Sequence, residues 1–309
     1  MANLALIKKL RESTGCGIGD CNKALAECGD DFEKSIDWLR KKGLSSAAKK
    51  SSRVTTEGLI GLMVKDNKAV IVEVNSETDF VARNDKFQTF VKNITETSLE
   101  VKSNDNFVEE LKALKLKNGT KIVGEELTDN IGVIGENLQL RRGKVLENDG
   151  GIIITYLHNK VSDNLGKIGV LLSIKSDADK EKLQEFGKKI AMHIAAAKPE
   201  FLTKDKVDPA RLTREREVLA EQTRQSGKPE NIIEKMIEGR IRKYYEDVVL
   251  LDQFFVMEDK KKVSAVVADF EKEVGTSVEL KDYILYVLGE GLEKREDNFA
   301  QEVASMTQK

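Results

Sequence analysis

The stretch IVEVNSETD at residues 71–79 returns as LLSIKSDAD at 171–179, a constant offset of 100 positions. Each is an apolar run that closes on small polar residues and an acid. Each then leads into a segment with helical spacing, FQTFVKNI in the first case and KLQEFGKKIAMHI in the second. A chain that repeats a strand-to-helix unit folds as two related subdomains, because neither unit covers its apolar face alone. A further apolar run precedes each copy. GLIGLMVKDNKAVIVEV is divided by Asp66-Asn67, a hairpin signal. GIIITYLHNKVSDNLGKIGVLLSIK repeats the order of strand, loop and strand. The expected class is α+β with a duplicated core.

The remaining segments arrange themselves around that core. Residues 1–53 read as three short helices. The first carries Leu4, Ile7 and Leu10, GCGIGD breaks it, and the second sets Cys21, Ala24, Leu25 and Cys28 on one buried face. The third opens at GDDFEK, with Asp30 and Glu33 in capping-box spacing, buries Phe32, Ile36 and Leu39, and stops at Lys41-Lys42-Gly43. Trp38 either seals this small core or is displayed on its surface. SSAAKKSSRVTTEG reads as a linker. A first core subdomain is expected over 54–149, with a helix over 84–98 and then a charged, weakly patterned stretch. The first part of a second core subdomain is expected over 150–205. Residues 206–248 hold two helical segments joined by SGKP, Gly227 stopping one and Pro229 opening the other. Leu212, Val218 and Leu219 then face Ile232, Ile233, Met236, Ile237 and Ile241 across a projecting antiparallel hairpin. A C-terminal helical module is expected over 249–276. Residues 277–309 return to the second core subdomain with the strand DYILYVLGEG and a closing helix, DNFAQEVASM.

Composition narrows the classes of function. The 309 residues include 51 basic and 53 acidic side chains, a net charge of −2, so no global field attracts nucleic acid and no nucleic-acid partner is expected. No apolar run approaches about 18 residues, and the N-terminus lacks a signal pattern, so the expectation is a cytoplasmic protein without a membrane span. Cys16, Cys21 and Cys28 are odd in number and lack paired zinc-site gaps, which fits reduced thiols and no metal.

Catalytic chemistry is hard to build from these residues. GTKIVGEE at 119–126 has phosphate-loop glycine spacing but no following Lys-Ser/Thr, and reads as a turn. GCGIG follows a helix, not a strand, and is no dinucleotide fingerprint. GxSxG, HExxH and a Cys/His pairing are absent from the sequence. His193 lies among apolar residues and reads as structural, while His158 sits near a strand end. The chain is expected to be no enzyme, to use no cofactor and to bind no nucleotide itself.

Several segments together resemble the bacterial elongation factor Ts family, guanine-nucleotide exchange factors of elongation factor Tu. LRESTGCGIGDCNKAL is similar to the family's opening pattern, and SETDFVARN carries its TDFVA segment. IGENLQLRR, AMHIAAAKPEF, SGKPENIIEKMIEGRIRK, FVM and GEGLEK follow in the family's order, covering essentially the whole chain. The resemblance implies a ubiquitin-associated-type N-terminal domain, a duplicated core with a projecting helical hairpin, and a C-terminal module. It implies elongation factor Tu as the partner and allows a homodimer through the core or hairpin. Arg11, Ile18 and Gly19 would anchor the partner's G domain. Lys50 matches a family basic position, whereas Asn22 stands where the family often has Lys. Thr78, Asp79, Phe80 and Val81, with Ile134, Gly135 and His158, would bear on the phosphate and Mg²⁺ region. Val263, Val266 and Val267 would add a further contact. Ile18, Ile134 and the three valines also have an ordinary core reading.

Phe80 has two readings. At the constant offset it aligns with Lys180, while Asp79 aligns with Asp179, so the repeated fold needs the acid and not the aromatic. The pattern allows a staple folded back on its own helix; the resemblance implies a wedge into the partner. Two other functions compete with exchange: a passive protein-binding adaptor, and an RNA-associated protein using the linker and hairpin lysines.

Overall fold

A computed structural model describes residues 4–102, 104–224 and 230–293. Helices α1 (Leu4–Thr14), α2 (Ile18–Glu27) and α3 (Phe32–Lys50) close on Leu10, Cys21, Ala24, Leu25 and Leu39. Trp38 packs partly against this cluster, with Lys42 Nζ 5.5 Å from its ring. Three local expectations are corrected. Asp31, not Asp30, caps α3 and accepts from Lys34 N–H at 3.0 Å, because Asp30 is spent in the preceding turn at φ 61°. Cys28 is the half-buried C-cap of α2 and not part of its buried face. Helix α3 runs through Gly43 to Lys50, absorbing part of the expected linker, because this last stretch lies against another helix.

The first copy of the core comprises β1 (Glu57–Lys65), β2 (Lys68–Ser76), α4 (Asp79–Ala82), α5 (Asp85–Thr97), α6 (Phe107–Ala113), α7 (Val123–Ile134) and β3 (Leu138–Glu147). The second comprises β4 (Gly151–His158), β5 (Leu165–Gly166), β6 (Ile168–Lys175), α8 (Lys180–Ala197), α9 (Pro209–Arg224), α10 (Glu230–Val248), α11 (Val263–Val274) and β7 (Glu279–Val287). The class is α+β. Two antiparallel sheets form, ordered β3-β2-β1-β5 and β4-β6-β7. Strand alternation explains the layers. Leu59, Val72 and Val74 face Phe87, Phe90, Val91 and Ile94 of α5. Val170, Leu172 and Ile174 face Leu183, Phe186, Ile190 and Ile194 of α8. Ile60, Ile71, Leu171 and Ile284 fill the space between the sheets. The central strands β2 and β6 are therefore buried on both faces.

The duplication extends past the sequence match. β3 joins β2 and β7 joins β6, each antiparallel, with the register shifting after Glu73 and after Ser173. Helices α7 and α11 open at Val123 and Val263, 140 positions apart, and both end on a left-handed glycine, Gly135 and Gly275. Ion pairs Lys121–Asp129 and Lys261–Asp269 occupy the same places in the two copies. The offset grows from 100 to 140 because the α9–α10 hairpin is inserted in the second copy only. GTKIVGEE is accordingly half turn and half helix: Val123, Leu127 and Ile131 make a buried stripe that carries α7 through Gly124. Gly227, Pro229 and the expected closing helix DNFAQEVASM lie outside the described residues, as does the side chain of Leu219.

Glu73 fastens the copies together. Fully buried on β2, it accepts from Arg142 Nε at 2.6 Å, Arg141 Nη1 at 2.9 Å, Asn75 Nδ2 at 3.1 Å and the Gly289 N–H at 2.9 Å. Arg142 reaches on to Val287 O and the Glu290 carboxylate beyond β7. Burial alone would push the Glu73 carboxyl up. The Gly289 N–H, the two guanidinium groups and Asn75 outweigh it and hold the carboxyl below the usual carboxylate range.

Candidate functional site

Helix α4 is one turn, too short to stand unless its ends are tied. Val81 and Ala82 are buried and anchor it from beneath. Phe80, between Asp79 and Val81, is 76% exposed. Its ring is displayed, not folded into the core, and the staple arrangement is absent. Asp79 pairs with Arg83 at 2.9 Å on the same turn. Asn84 then caps α5, accepting from Lys86 N–H and Phe87 N–H, so the display turn sits between two fixed points.

A second segment holds the turn from the side. Glu136 accepts from the Thr78 N–H at 3.0 Å and from the Thr78 hydroxyl at 2.6 Å. In return, Glu77 Oε1 accepts from the Asn137 N–H at 2.6 Å, and Asn137 Nδ2 donates to Arg53 O at 2.8 Å. Gly135, exposed at φ 87°, supplies the left-handed step that turns the chain out of α7 into this contact. Thr78, Asp79, Phe80 and Val81 are thereby brought beside half-buried Ile134 and Gly135, though 58 residues separate Thr78 from Glu136.

The other sequence-selected residues lie elsewhere. Arg11 lies in the last turn of α1, while Ile18, 58% exposed, and exposed Gly19 open α2. A Cβ on Gly19 would meet nothing within 4 Å, so this is an open surface. Half-buried Lys50 is the last residue of α3. These helices reach the site through α7, where Arg40 pairs with Glu125 at 2.9 Å and Gly43 crosses Gly132. His158 is exposed at the end of β4, its Nδ1 3.1 Å from the Tyr156 hydroxyl. Val263 is fully buried in the second copy's core, and Val266 and Val267 pack partly against it on α11. The core reading therefore holds for Val263.

Sequence reading missed Glu77, Glu136 and Asn137, which shape the turn, and Phe254, Val256 and Met257, exposed on the bend before α11. That bend is fixed by His193. Its Nε2 lies 3.0 Å from Gln253 Oε1, and its Nδ1 accepts from the Val256 N–H at 3.3 Å. Burial pushes the His193 pKa down, opposed by the bond to Gln253. The imidazole is thus a structural cross-link, as its apolar setting predicts.

A cleft of about 720 Å³ separates the N-terminal helices from the first copy. Two lysines that line it, Lys42 and Lys121, are already committed to Asp20 and Asp129. Among the described residues, no cluster of three His, Cys, Asp or Glu side chains is placed to hold a metal ion, and no helix is long and apolar enough to cross a membrane.

Comparison with known proteins agrees with the resemblance read from the motifs. The family model described as Elongation factor TS matches residues 77–290. Elongation factor Ts of Rhodospirillum centenum is 52% identical over 302 residues, covering 98% of this chain and 97% of that protein. The Rhodospirillum rubrum protein of the same name is 49% identical over 306 residues, 99% of this chain and 98% of its own length. That of Bartonella quintana is 48% identical over 301 residues, 97% of each. Match, order of motifs and architecture agree, and the chain belongs to the Elongation factor TS family.

Proposed function

We propose that this chain is the guanine-nucleotide exchange factor of elongation factor Tu, acting by contact and without an active site of its own. The observation that carries this reading is the display of Phe80, an exposed aromatic on a turn fixed at both ends and from the side. A GTPase holds GDP through Mg²⁺ and backbone N–H groups around the phosphates. A partner that fits the emptied conformation better weakens that hold by population shift. Phe80 and Asp79 supply the wedge, with Ile134 and Gly135 beside it. Arg11, Ile18 and Gly19 supply an anchor on the G domain, and Lys50, His158 and the α11 face around Val266 and Val267 add contacts.

Magnitude requires this spread. Speeding GDP release about 10⁴-fold takes about 5.5 kcal/mol. Burial of one Phe supplies about 1.5–3 kcal/mol. The wedge alone is insufficient, and the N-terminal anchor and second copy must contribute. The test is release of fluorescent GDP from purified elongation factor Tu with and without this chain. A raised off-rate supports exchange, whereas binding with an unchanged off-rate leaves a passive adaptor.

A further inference from the structure

We infer that Glu136 is a positioning residue for exchange: its carboxylate grips Thr78 so that Phe80 is presented in one fixed direction. The inference rests on the reading of Phe80 as the wedge.

The first argument is a forgone cap. Thr78 stands at the N-cap of α4, where a hydroxyl ordinarily accepts from the helix's own free N–H groups. It makes no such bond. The hydroxyl instead donates to Glu136 Oε1 at 2.6 Å, and the Thr78 N–H donates to Oε2 at 3.0 Å. Both carboxylate oxygens are thus used on one residue, an arrangement that fixes direction as well as distance.

The second argument comes from the other copy, which serves as an internal control. There the N-cap acid Asp179 caps its own helix, accepting from Glu181 N–H and Lys182 N–H. The counterpart of Thr78 is Ala178, and at the 140-residue offset the counterpart of Glu136 is Thr276. Neither half of the grip is present. The two segments are joined there by Ser176 Oγ donating to Ser277 O at 2.7 Å. The counterpart of Phe80 is Lys180. The same fold therefore forms without the carboxylate grip, and the grip occurs in the copy that displays the aromatic.

The third argument is connectivity. Glu136 stands one residue past Gly135, the C-cap of α7, the helix against which α3 lies through Gly43–Gly132 and Arg40–Glu125. One rigid helix thus sets the N-terminal anchor and the direction of Phe80 together.

The test is a double-mutant cycle on GDP release from elongation factor Tu, using Glu136→Ala, Glu136→Gln, Phe80→Ala and Glu136→Ala/Phe80→Ala, with melting temperatures for all four. Glu136→Ala is expected to lower the maximal release rate about 10-fold, the scale of a lost charge-assisted contact. Glu136→Gln, which keeps one accepting oxygen, should fall between this variant and the wild type. With Phe80 already removed, Glu136→Ala should cost less than about 2-fold, since nothing remains to position. Equal losses in both backgrounds would overturn the inference and leave a fold effect. If Phe80→Ala slows release but Glu136→Ala and Glu136→Gln do not, the grip fails and the wedge stands. If Phe80→Ala itself leaves release unchanged, the wedge reading fails, and the grip with it.

Discussion

The Cα of Gly43 lies 3.2 Å from the point where a Cβ on Gly132 would stand, so α3 and α7 cross with no side chain between them. The counterpart of Gly132 on α11 is Lys272, which is exposed. Close crossing is thus a property of the first copy. Gly132→Val should lift α3 from α7 and free the N-terminal helices. Limited proteolysis should then cut residues 51–56 faster, with the core's melting temperature nearly unchanged. Gly132→Ala needs only a few tenths of an ångström of give, offset by about 0.5–1 kcal/mol of helix propensity, and should be near neutral. Wild-type protection of the Val variant would count against the crossing.

Removing the buried carboxylate that fastens the two copies should be expensive. Glu73→Ala is expected to cost about 3 kcal/mol, the low end for a broken buried pair, because both arginines keep some access to water. The carboxyl's folded pKa is depressed, so its contribution is fully present above the ordinary value of 4.5 and is lost as pH falls through the folded value. Urea unfolding measured from pH 6 to pH 3 should show this loss in the wild type and a shallower slope in Glu73→Ala.

Phe80→Ala should leave folding intact and slow exchange. An exposed ring has little packing to lose, and a wedge forfeits about 1.5–3 kcal/mol in the nucleotide-released state, or roughly 10- to 150-fold in rate. A melting temperature lowered by several degrees alongside wild-type GDP release would contradict the displayed geometry.

His193 sets a separate acid sensitivity in the second copy. Its folded pKa lies below the ordinary 6.5, because burial disfavours the cation. Stability from the neutral ring is therefore complete above pH 6.5 and declines as pH falls toward the folded value. Protonation also removes the acceptor for the Val256 N–H. Hydrogen exchange of that amide, corrected for intrinsic rate, should rise as pH falls below the ordinary 6.5 toward the folded value. Protection that stays constant over this range would argue against the cross-link.

Much of this architecture was readable from periodicity. The hairpin at Asp66-Asn67, the helix over 84–98 and the repeat at offset 100 all rest on local patterns that the sheets and α5 reproduce. Helix α7 was not readable, because its glycines at 124 and 132 obscure an otherwise regular stripe. The match of α7 to α11 was hidden by the hairpin, which changes the offset midway through the second copy. At the site, Phe80 stood out because one copy has it and the other does not. Glu136 gave no such sign. Its partner is distant in sequence, and its counterpart Thr276 is found only once the second offset is known.

The hairpin leaves and re-enters the second copy through a single doorway. Phe201 bridges Val249 in parallel, Glu200 and Phe201 N–H groups both donate to Val248 O, and Leu250 N–H donates to Phe201 O. Val207, Val248 and Val249 seal the threshold, with Phe201, Leu212 and Tyr244 around them. The two chain ends at the base are thus already stitched to each other. Such a port fixes the direction in which the arm leaves the second copy at its base, where both chain ends are held.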